Sequence, residues 1–242
     1  MKKMLILQFR PETEVADDEF QAFLKYGNLN ESEVERIRAE FELPDIKLEN
    51  YSSVLIGGSP YTTSDKEKST AQEKVEEKLF ELMREIYEKD FPYLGNCYGH
   101  STMAQAIASA VSKEKYGEAV GAVSISLSEE GKKDKLLKGV ESPFYAFVGH
   151  KEACQVVPPE AVLLASSETC PVQMLRFKQN VYSTQFHAEL DFEGLALRID
   201  FYKDKGYFPP EDAEKLKDEA RKHEVTEPMK ILKNFVDLYH RK

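Results

Sequence analysis

The chain has 242 residues, of which 41% are hydrophobic and 31% are charged, and its formal net charge at pH 7 is −10. This length suffices for one large α/β domain with a well-buried core. The negative charge argues against nucleic acid and against an anionic membrane surface as partners, because both attract basic faces. No run of the sequence approaches the length of a membrane span.

Short apolar runs mark the expected strands. They lie at Met4–Phe9, Ser53–Ile56, Phe91–Leu94, Ala122–Leu127, Ala161–Ser166, Gln173–Phe177 and Val181–Phe186. Several are apolar throughout, which is typical of strands buried on both faces of a parallel sheet. Together with the helical patterns between them, they predict an α/β fold: a mainly parallel sheet flanked by helices, with a small antiparallel portion.

Helical periodicity is clearest from Ser69 to Tyr87, where apolar residues recur at spacings of three and four. The acidic segment Glu12–Glu42 predicts one or two helices near the entrance of the site. A charged helix over Glu211–His223 and a further amphipathic helix, expected to pack within the chain, are predicted near the end.

No internal repeat or linker interrupts these patterns. The sequence therefore predicts a single domain over residues 1–242, with extra helices at about 12–42 and a C-terminal helical extension at about 206–242.

The three cysteines are too few and too widely spaced for a disulfide framework or a zinc site, so we expect a reducing, cytoplasmic compartment and no metal. Cys97 lies in Gly95-Asn96-Cys97-Tyr98-Gly99, between an expected strand and a helical pattern. This arrangement is typical of a nucleophile elbow, in which glycines permit a crowded turn and the helix N-terminus favours a thiolate. A lone cysteine is more often a small buried hydrophobe, which is our interpretation of Cys154 and Cys170.

A cysteine nucleophile needs a base, a group that orients the base, and donors for the oxyanion. His187 ends an expected strand and Glu189 follows two residues later. His187 could take the thiol proton and return it to a leaving amine, while Glu189 fixes the imidazole tautomer. The backbone N–H groups of Gly58, in a Gly-Gly turn, and of Tyr98 are candidate oxyanion donors. Singly, the His-x-Glu pair and the Gly-Gly turn are common surface features, so the prediction depends on their combination.

The Gly-Gly turn, the cysteine elbow and Gln185-Phe186-His187-Ala188-Glu189 resemble, in order and spacing, the motifs of the class I glutamine amidotransferases. The resemblance covers about residues 1–200 and is strongest to the amidotransferase domain of GMP synthase and its stand-alone relatives. It implies a flavodoxin-like sheet, a catalytic triad of Cys97, His187 and Glu189, and an oxyanion hole from Gly58 and Tyr98. His150 has a counterpart in the family, and we expect its role here to be structural.

Three departures concern the substrate. Ser101 occupies the position of the family's glutamine four residues after the nucleophile, and its shorter hydroxyl leaves room for a different γ-glutamyl group. Ser59 interrupts the family's Gly-Gly-Pro, and Ala188 replaces the proline of His-Pro-Glu. We keep Ser101 as a candidate substrate-binding residue.

The resemblance implies an amidohydrolase that cleaves the side-chain amide of glutamine or a related γ-glutamyl compound through a thioester on Cys97. This half-reaction needs neither a metal nor an organic cofactor. The sequence has no P-loop pattern, so ammonia made for biosynthesis would pass to a separate synthetase subunit. A stand-alone γ-glutamyl peptidase or hydrolase and a non-catalytic binding relative are the two alternatives.

Overall fold

The computed structural model describes residues 2–205 and 208–241. Its strands are β1 (Lys3–Gln8), β2 (Val34–Arg38), β3 (Tyr51–Ile56), β4 (Tyr93–Asn96), β5 (Val111–Ser112), β6 (Glu118–Leu127), β7 (Phe144–His150), β8 (Ala153–Cys154), β9 (Ala161–Ser166), β10 (Met174–Phe177) and β11 (Val181–Thr184). Its helices are α1 (Thr13–Gly27), α2 (Thr70–Glu88), α3 (Tyr98–Ala108), α4 (Phe192–Tyr202), α5 (Ala213–Ala220) and α6 (Glu227–Tyr239). None of these helices is long and apolar enough to cross a membrane.

Within the described residues, a nine-stranded sheet has the order β2-β1-β3-β4-β11-β10-β9-β6-β7, and β5 pairs with β8. Neighbours from β2 to β11 run parallel. Neighbours from β11 to β7 run antiparallel, as do β5 and β8. The predicted fold class is confirmed, since parallel core strands flanked by helices continue into an antiparallel part.

The sheet separates two apolar layers. Along β1, Met4 and Ile6 pack in one layer with α1 and α6, while Leu5 and Leu7 pack in the other with α2 and α3. Successive side chains of a strand point to opposite faces, so β1 is buried on both sides, as its continuous apolar run predicts. Helix α6 packs within the chain, as expected.

The long predicted helix is confirmed as α2, and its N-terminus is capped by Ser69, whose hydroxyl accepts a hydrogen bond from the Gln72 N–H. The segment Glu12–Glu42, for which one or two helices were predicted, contains one α-helix, α1, in its first half. Asn28 adopts a left-handed conformation (φ 52°) and ends α1. The chain then forms β2, which pairs with β1 at the edge of the sheet.

Strand β2 was not predicted, because its charged residues are typical of an exposed edge strand and equally of a helix surface. The charged helix predicted at about Glu211–His223 forms α5 over Ala213–Ala220. Helix α4 was not predicted. Residue 206, where the C-terminal extension was predicted to begin, lies outside the described residues.

Candidate active site

Two neighbouring parallel strands bring the cysteine elbow and the histidine together. Strands β4 and β11 pair so that Asn96 lies opposite Thr184. The Cys97 N–H donates to the Thr184 carbonyl at 2.8 Å, and the His187 N–H donates to the Phe147 carbonyl at 3.1 Å. Both segments leave the sheet at the carboxyl ends of their strands, which is where open α/β sheets bind ligands.

The elbow concentrates its strain on the cysteine. Cys97 has φ 51° and ψ −94° and immediately precedes α3. A positive φ is unusual for a residue with a side chain and is typical of a nucleophile at this kind of turn. Gly95 and Gly99 instead permit close packing. A Cβ on Gly95 would lie 2.7 Å from the Gly99 carbonyl carbon, and a Cβ on Gly99 would lie 3.0 Å from the Ile56 Cβ.

The His187 and Glu189 side chains form a buried pair, with 2.7 Å between His187 Nδ1 and Glu189 Oε1. Because Nδ1 is engaged, Nε2 is the nitrogen available to Cys97. Burial lowers the pKa of His187, but the charge of Glu189 and the hydrogen bond with Cys97 outweigh it and raise this pKa to about 9. Burial raises the pKa of Glu189, but His187 and Arg198 hold it well below its usual range. The pair is therefore imidazolium and carboxylate at neutral pH.

The two candidate oxyanion donors differ in their surroundings. Tyr98 is the first residue of α3, where a backbone N–H has no acceptor within the helix. Gly58 packs against His187, because a Cβ on Gly58 would lie 2.8 Å from His187 Cε1. Its N–H donates to Glu19 Oε2 at 3.2 Å. An oxyanion must displace Glu19 to use Gly58, whose role stays a prediction.

A buried charge network lies beside the candidate triad and was not predicted. Arg10 Nε is 2.7 Å from Glu19 Oε2, and both residues are buried. Arg198 Nη2 is 3.8 Å from Glu19 Oε2 and 3.7 Å from Glu189 Oε1. Arg10 follows β1 by two residues, so its place at a strand end was a usable signal. Arg198 lies on α4 and had no such signal.

Two clefts meet at Cys97, and Ser59, Cys97 and Gly149 line both of them. The first, here the arginine cleft, encloses about 510 Å³, partly open to solvent. Its further lining includes Arg10, His187, Leu195, Arg198, Tyr202 and Phe208. The second, here the serine cleft, encloses about 330 Å³ and is lined by Tyr98, Ser101, His150 and Glu152, among others. Ser101 thus lies beside Cys97 in the serine cleft, at the position predicted to contact substrate.

A second group of cysteine, histidine and glutamate has the features of a structural cluster. Ligand atoms of Glu118, His150 and Cys170 lie within 4.8 Å of one another, and all three residues are buried. His150 Nε2 bonds Glu118 Oε2 and its Nδ1 bonds the Glu152 carbonyl, both at 2.8 Å. Burial raises the pKa of the Cys170 thiol to about 12. The Cys170 thiol is therefore protonated, and both ring nitrogens of His150 are hydrogen-bonded. These features indicate that the group supports the loop of Gly149 and Glu152.

A sequence model of the family described as glutamine amidotransferase class-I matches residues 17–194. The chain belongs to this family. A match over most of the chain agrees with the strand order, the cysteine elbow and the histidine at the end of β11.

Curated relatives include the A subunit of the glutamine-hydrolysing GMP synthase of Pyrococcus abyssi, 30% identical over 149 residues, or 61% of this chain and 71% of that protein. The glutamine-hydrolysing GMP synthase of Borreliella burgdorferi strain B31 is 28% identical over 148 residues, but the chain covers only 26% of its length. A solved glutamine amidotransferase of Thermotoga maritima superposes with a TM-score of 0.77 over 98% of both chains at 21% identity. This amidotransferase shares the fold.

Proposed function

We propose that this chain hydrolyses the side-chain amide of glutamine or of a related γ-glutamyl compound through a γ-glutamyl thioester on Cys97. The observation that carries the proposal is that Cys97 and His187 line the same cleft while the buried Glu189 bonds the imidazole. Cys97 occupies a strained elbow at a helix N-terminus, and Glu189 Oε1 engages His187 Nδ1, which leaves Nε2 for the thiol. This is the arrangement that activates a thiol for attack on a carbonyl.

In the first half of the reaction, the Cys97 sulfur attacks the amide carbon and a C–S bond forms. The Tyr98 N–H, and the Gly58 N–H once it exchanges Glu19, donate to the oxyanion. The tetrahedral intermediate then collapses as His187 Nε2 gives its proton to the nitrogen, and the C–N bond breaks. Ammonia or an amine departs, and the γ-glutamyl group remains as a thioester.

In the second half, water enters and His187 takes one of its protons. The resulting hydroxide attacks the thioester carbon, the C–S bond breaks, and the acid product leaves with the sulfur restored. Glu189 remains ionised throughout, because its task is to orient the imidazole and stabilise its positive charge.

The similarity to the A subunit of GMP synthase supports a version in which the ammonia passes to a separate synthetase subunit. The stand-alone hydrolase is the second candidate. Two observations favour it: Ser101 stands where the family's pattern has a glutamine, and helix α4 walls the cleft that contains His187.

The decisive test is intact-mass analysis after treatment with an electrophilic analogue of glutamine, comparing the wild type with Cys97→Ala. We expect one adduct on the wild type and none on the variant. Circular dichroism confirms that the variant is folded, and a generic thiol reagent reports whether Cys97 is accessible. An accessible Cys97 that forms no adduct and supports no amide hydrolysis would overturn the proposal in favour of a binding relative.

A further inference from the structure

The two clefts at Cys97 differ in the candidate catalytic groups that line them. His187 lines the arginine cleft but not the serine cleft, whereas Tyr98 and Ser101 line only the serine cleft. The group that protonates the departing nitrogen must lie on the leaving-group side. The oxyanion donor lies on the acyl side. This argument rests on the proposed function, and it makes the arginine cleft the site of the leaving group.

The arginine cleft contains a buried guanidinium with unused capacity. Arg10 is 4% exposed, its Nε donates to Glu19, and its Nη1 donates to the Tyr202 hydroxyl at 3.3 Å. Among the described residues, Nη2 makes no hydrogen bond, and it is not one of the fully enclosed side-chain atoms that lack a partner, so it is accessible in the cleft that Arg10 lines. It lies beside Gly58, because a Cβ on Gly58 would be 2.4 Å from it. A charged donor that is open to a cleft favours an anionic ligand.

The remaining wall of the arginine cleft is apolar. It is formed by Val120, Val148, Leu190, Leu195, Ile199 and Phe208. Ammonia needs no such surface, whereas an aliphatic or aromatic side chain gains from burial against it. One positive anchor and an apolar wall together match the carboxylate and the side chain of an amino acid.

We propose that the arginine cleft is a leaving-group subsite for an apolar amino acid whose amine is joined to the γ-glutamyl group, with Arg10 binding its carboxylate. The substrate class is then a γ-glutamyl dipeptide. Cleavage breaks the C–N bond, His187 supplies the proton, and the free amino acid leaves from this cleft.

The test compares kcat/KM for γ-glutamyl-leucine with that for γ-glutamyl-isoamylamide, which differs only in lacking the carboxylate, with glutamine as a third substrate. A hydrogen bond to a charged group is worth about 10- to 100-fold, so we expect that preference for the dipeptide in the wild type. In Arg10→Gln the ratio falls towards one, and in Arg10→Lys it is partly retained. The ratio cancels any loss of folded enzyme. Arg84→Gln, which removes an exposed arginine of α2, keeps the wild-type ratio.

Equal rates for the two amides, or hydrolysis of glutamine alone, would overturn the subsite and leave the proposed function standing. A wild-type preference that survives unchanged in Arg10→Gln overturns the role of Arg10. Failure to hydrolyse any of the three substrates, with no adduct on Cys97, overturns the subsite and the proposed function together.

Discussion

The backbone N–H of Cys97 donates to the carbonyl of Thr184 at 2.8 Å, which fastens the cysteine elbow to the strand that leads to His187. The two residues are far apart in the sequence and close in space because β4 and β11 are parallel neighbours. The separation between Cys97 and His187 is thus set by sheet register, which the buried faces of both strands specify.

The three cysteines should differ sharply in reactivity. Cys154 and Cys170 are fully buried, and burial raises their pKa values to about 11 and about 12. Cys97 is partly exposed at the junction of two clefts. We expect a neutral thiol reagent to label one cysteine in the native protein and three after denaturation.

Peptide mapping of the labelled protein identifies the site. Native Cys97→Ala should take up no label over the same time, while its denatured form takes up two. Labelling of Cys170 at a rate similar to that of Cys97 would contradict this assignment. It would indicate a reactive thiol in the group of Glu118, His150 and Cys170.

The sequence predicted those features of the site that local patterns specify. The elbow around Cys97 combines glycine spacing with a strand–helix transition, and His187 ends an apolar run, so both could be placed at strand ends. The same rule extends to Arg10, which follows β1 by two residues, but a lone arginine after a strand carries no pattern specific to a catalytic site.

Features set by long-range packing could not be predicted. The sequence of β2 is rich in charged residues and has no clear strand pattern. It forms a strand because it pairs with β1. Arg198 reaches the site because Leu195 and Ile199 of α4 pack against Phe147, and nothing in its local sequence specifies that contact. Likewise, the bond from the Gly58 N–H to Glu19 depends on a helix that precedes the Gly-Gly turn by many residues.

Gly58→Ala should impair turnover through steric displacement. Its Cβ would lie 2.8 Å from His187 Cε1 and 2.4 Å from Arg10 Nη2, distances that real Cβ atoms do not show. A displacement of the imidazole by a fraction of an ångström to about 1 Å costs up to about 100-fold in rate. We expect kcat for glutamine or γ-glutamyl amide hydrolysis to fall by about 10- to 100-fold.

Gly121→Ala is the matched control, because a Cβ at Gly121 meets nothing within 4 Å. It makes the same chemical change in β6, away from the elbow. Equal activity of the two variants, each folded by circular dichroism, would show that the contact between Gly58 and His187 does not matter for turnover.

Glu189→Gln should lower kcat with little effect on KM, since Glu189 orients His187 and is itself fully buried. The amide keeps the size but not the charge that stabilises the imidazolium, and such a loss costs about 10²- to 10⁴-fold. Glu193→Gln removes an exposed carboxylate from α4 and should leave both constants unchanged. A Glu189→Gln enzyme with wild-type kcat would exclude a triad role for this residue.

The buried pair of His187 and Glu189 should make the free energy of unfolding depend on pH in the alkaline range. The pKa of His187 rises from 6.5 to about 9 in the folded protein, with burial opposing the rise and Glu189 and Cys97 causing it. A raised pKa means that the stabilisation is complete below pH 6.5 and is lost as the pH rises to about 9. The pKa of Glu189 is lowered, so its contribution is complete above its ordinary 4.5 and is lost only at lower pH.

Urea unfolding of the wild type and His187→Gln from pH 6.5 to pH 9 measures this effect, because titrating groups that do not interact with His187 cancel in the difference. Each pKa unit corresponds to about 1.4 kcal/mol, so we expect the wild type's advantage to shrink by about 1 to 3 kcal/mol between pH 6.5 and pH 9. A difference that is constant up to pH 9 would mean that His187 is neutral in the resting site. The resting pair would then be a thiol and an imidazole, and proton transfer from Cys97 would have to accompany attack on the amide.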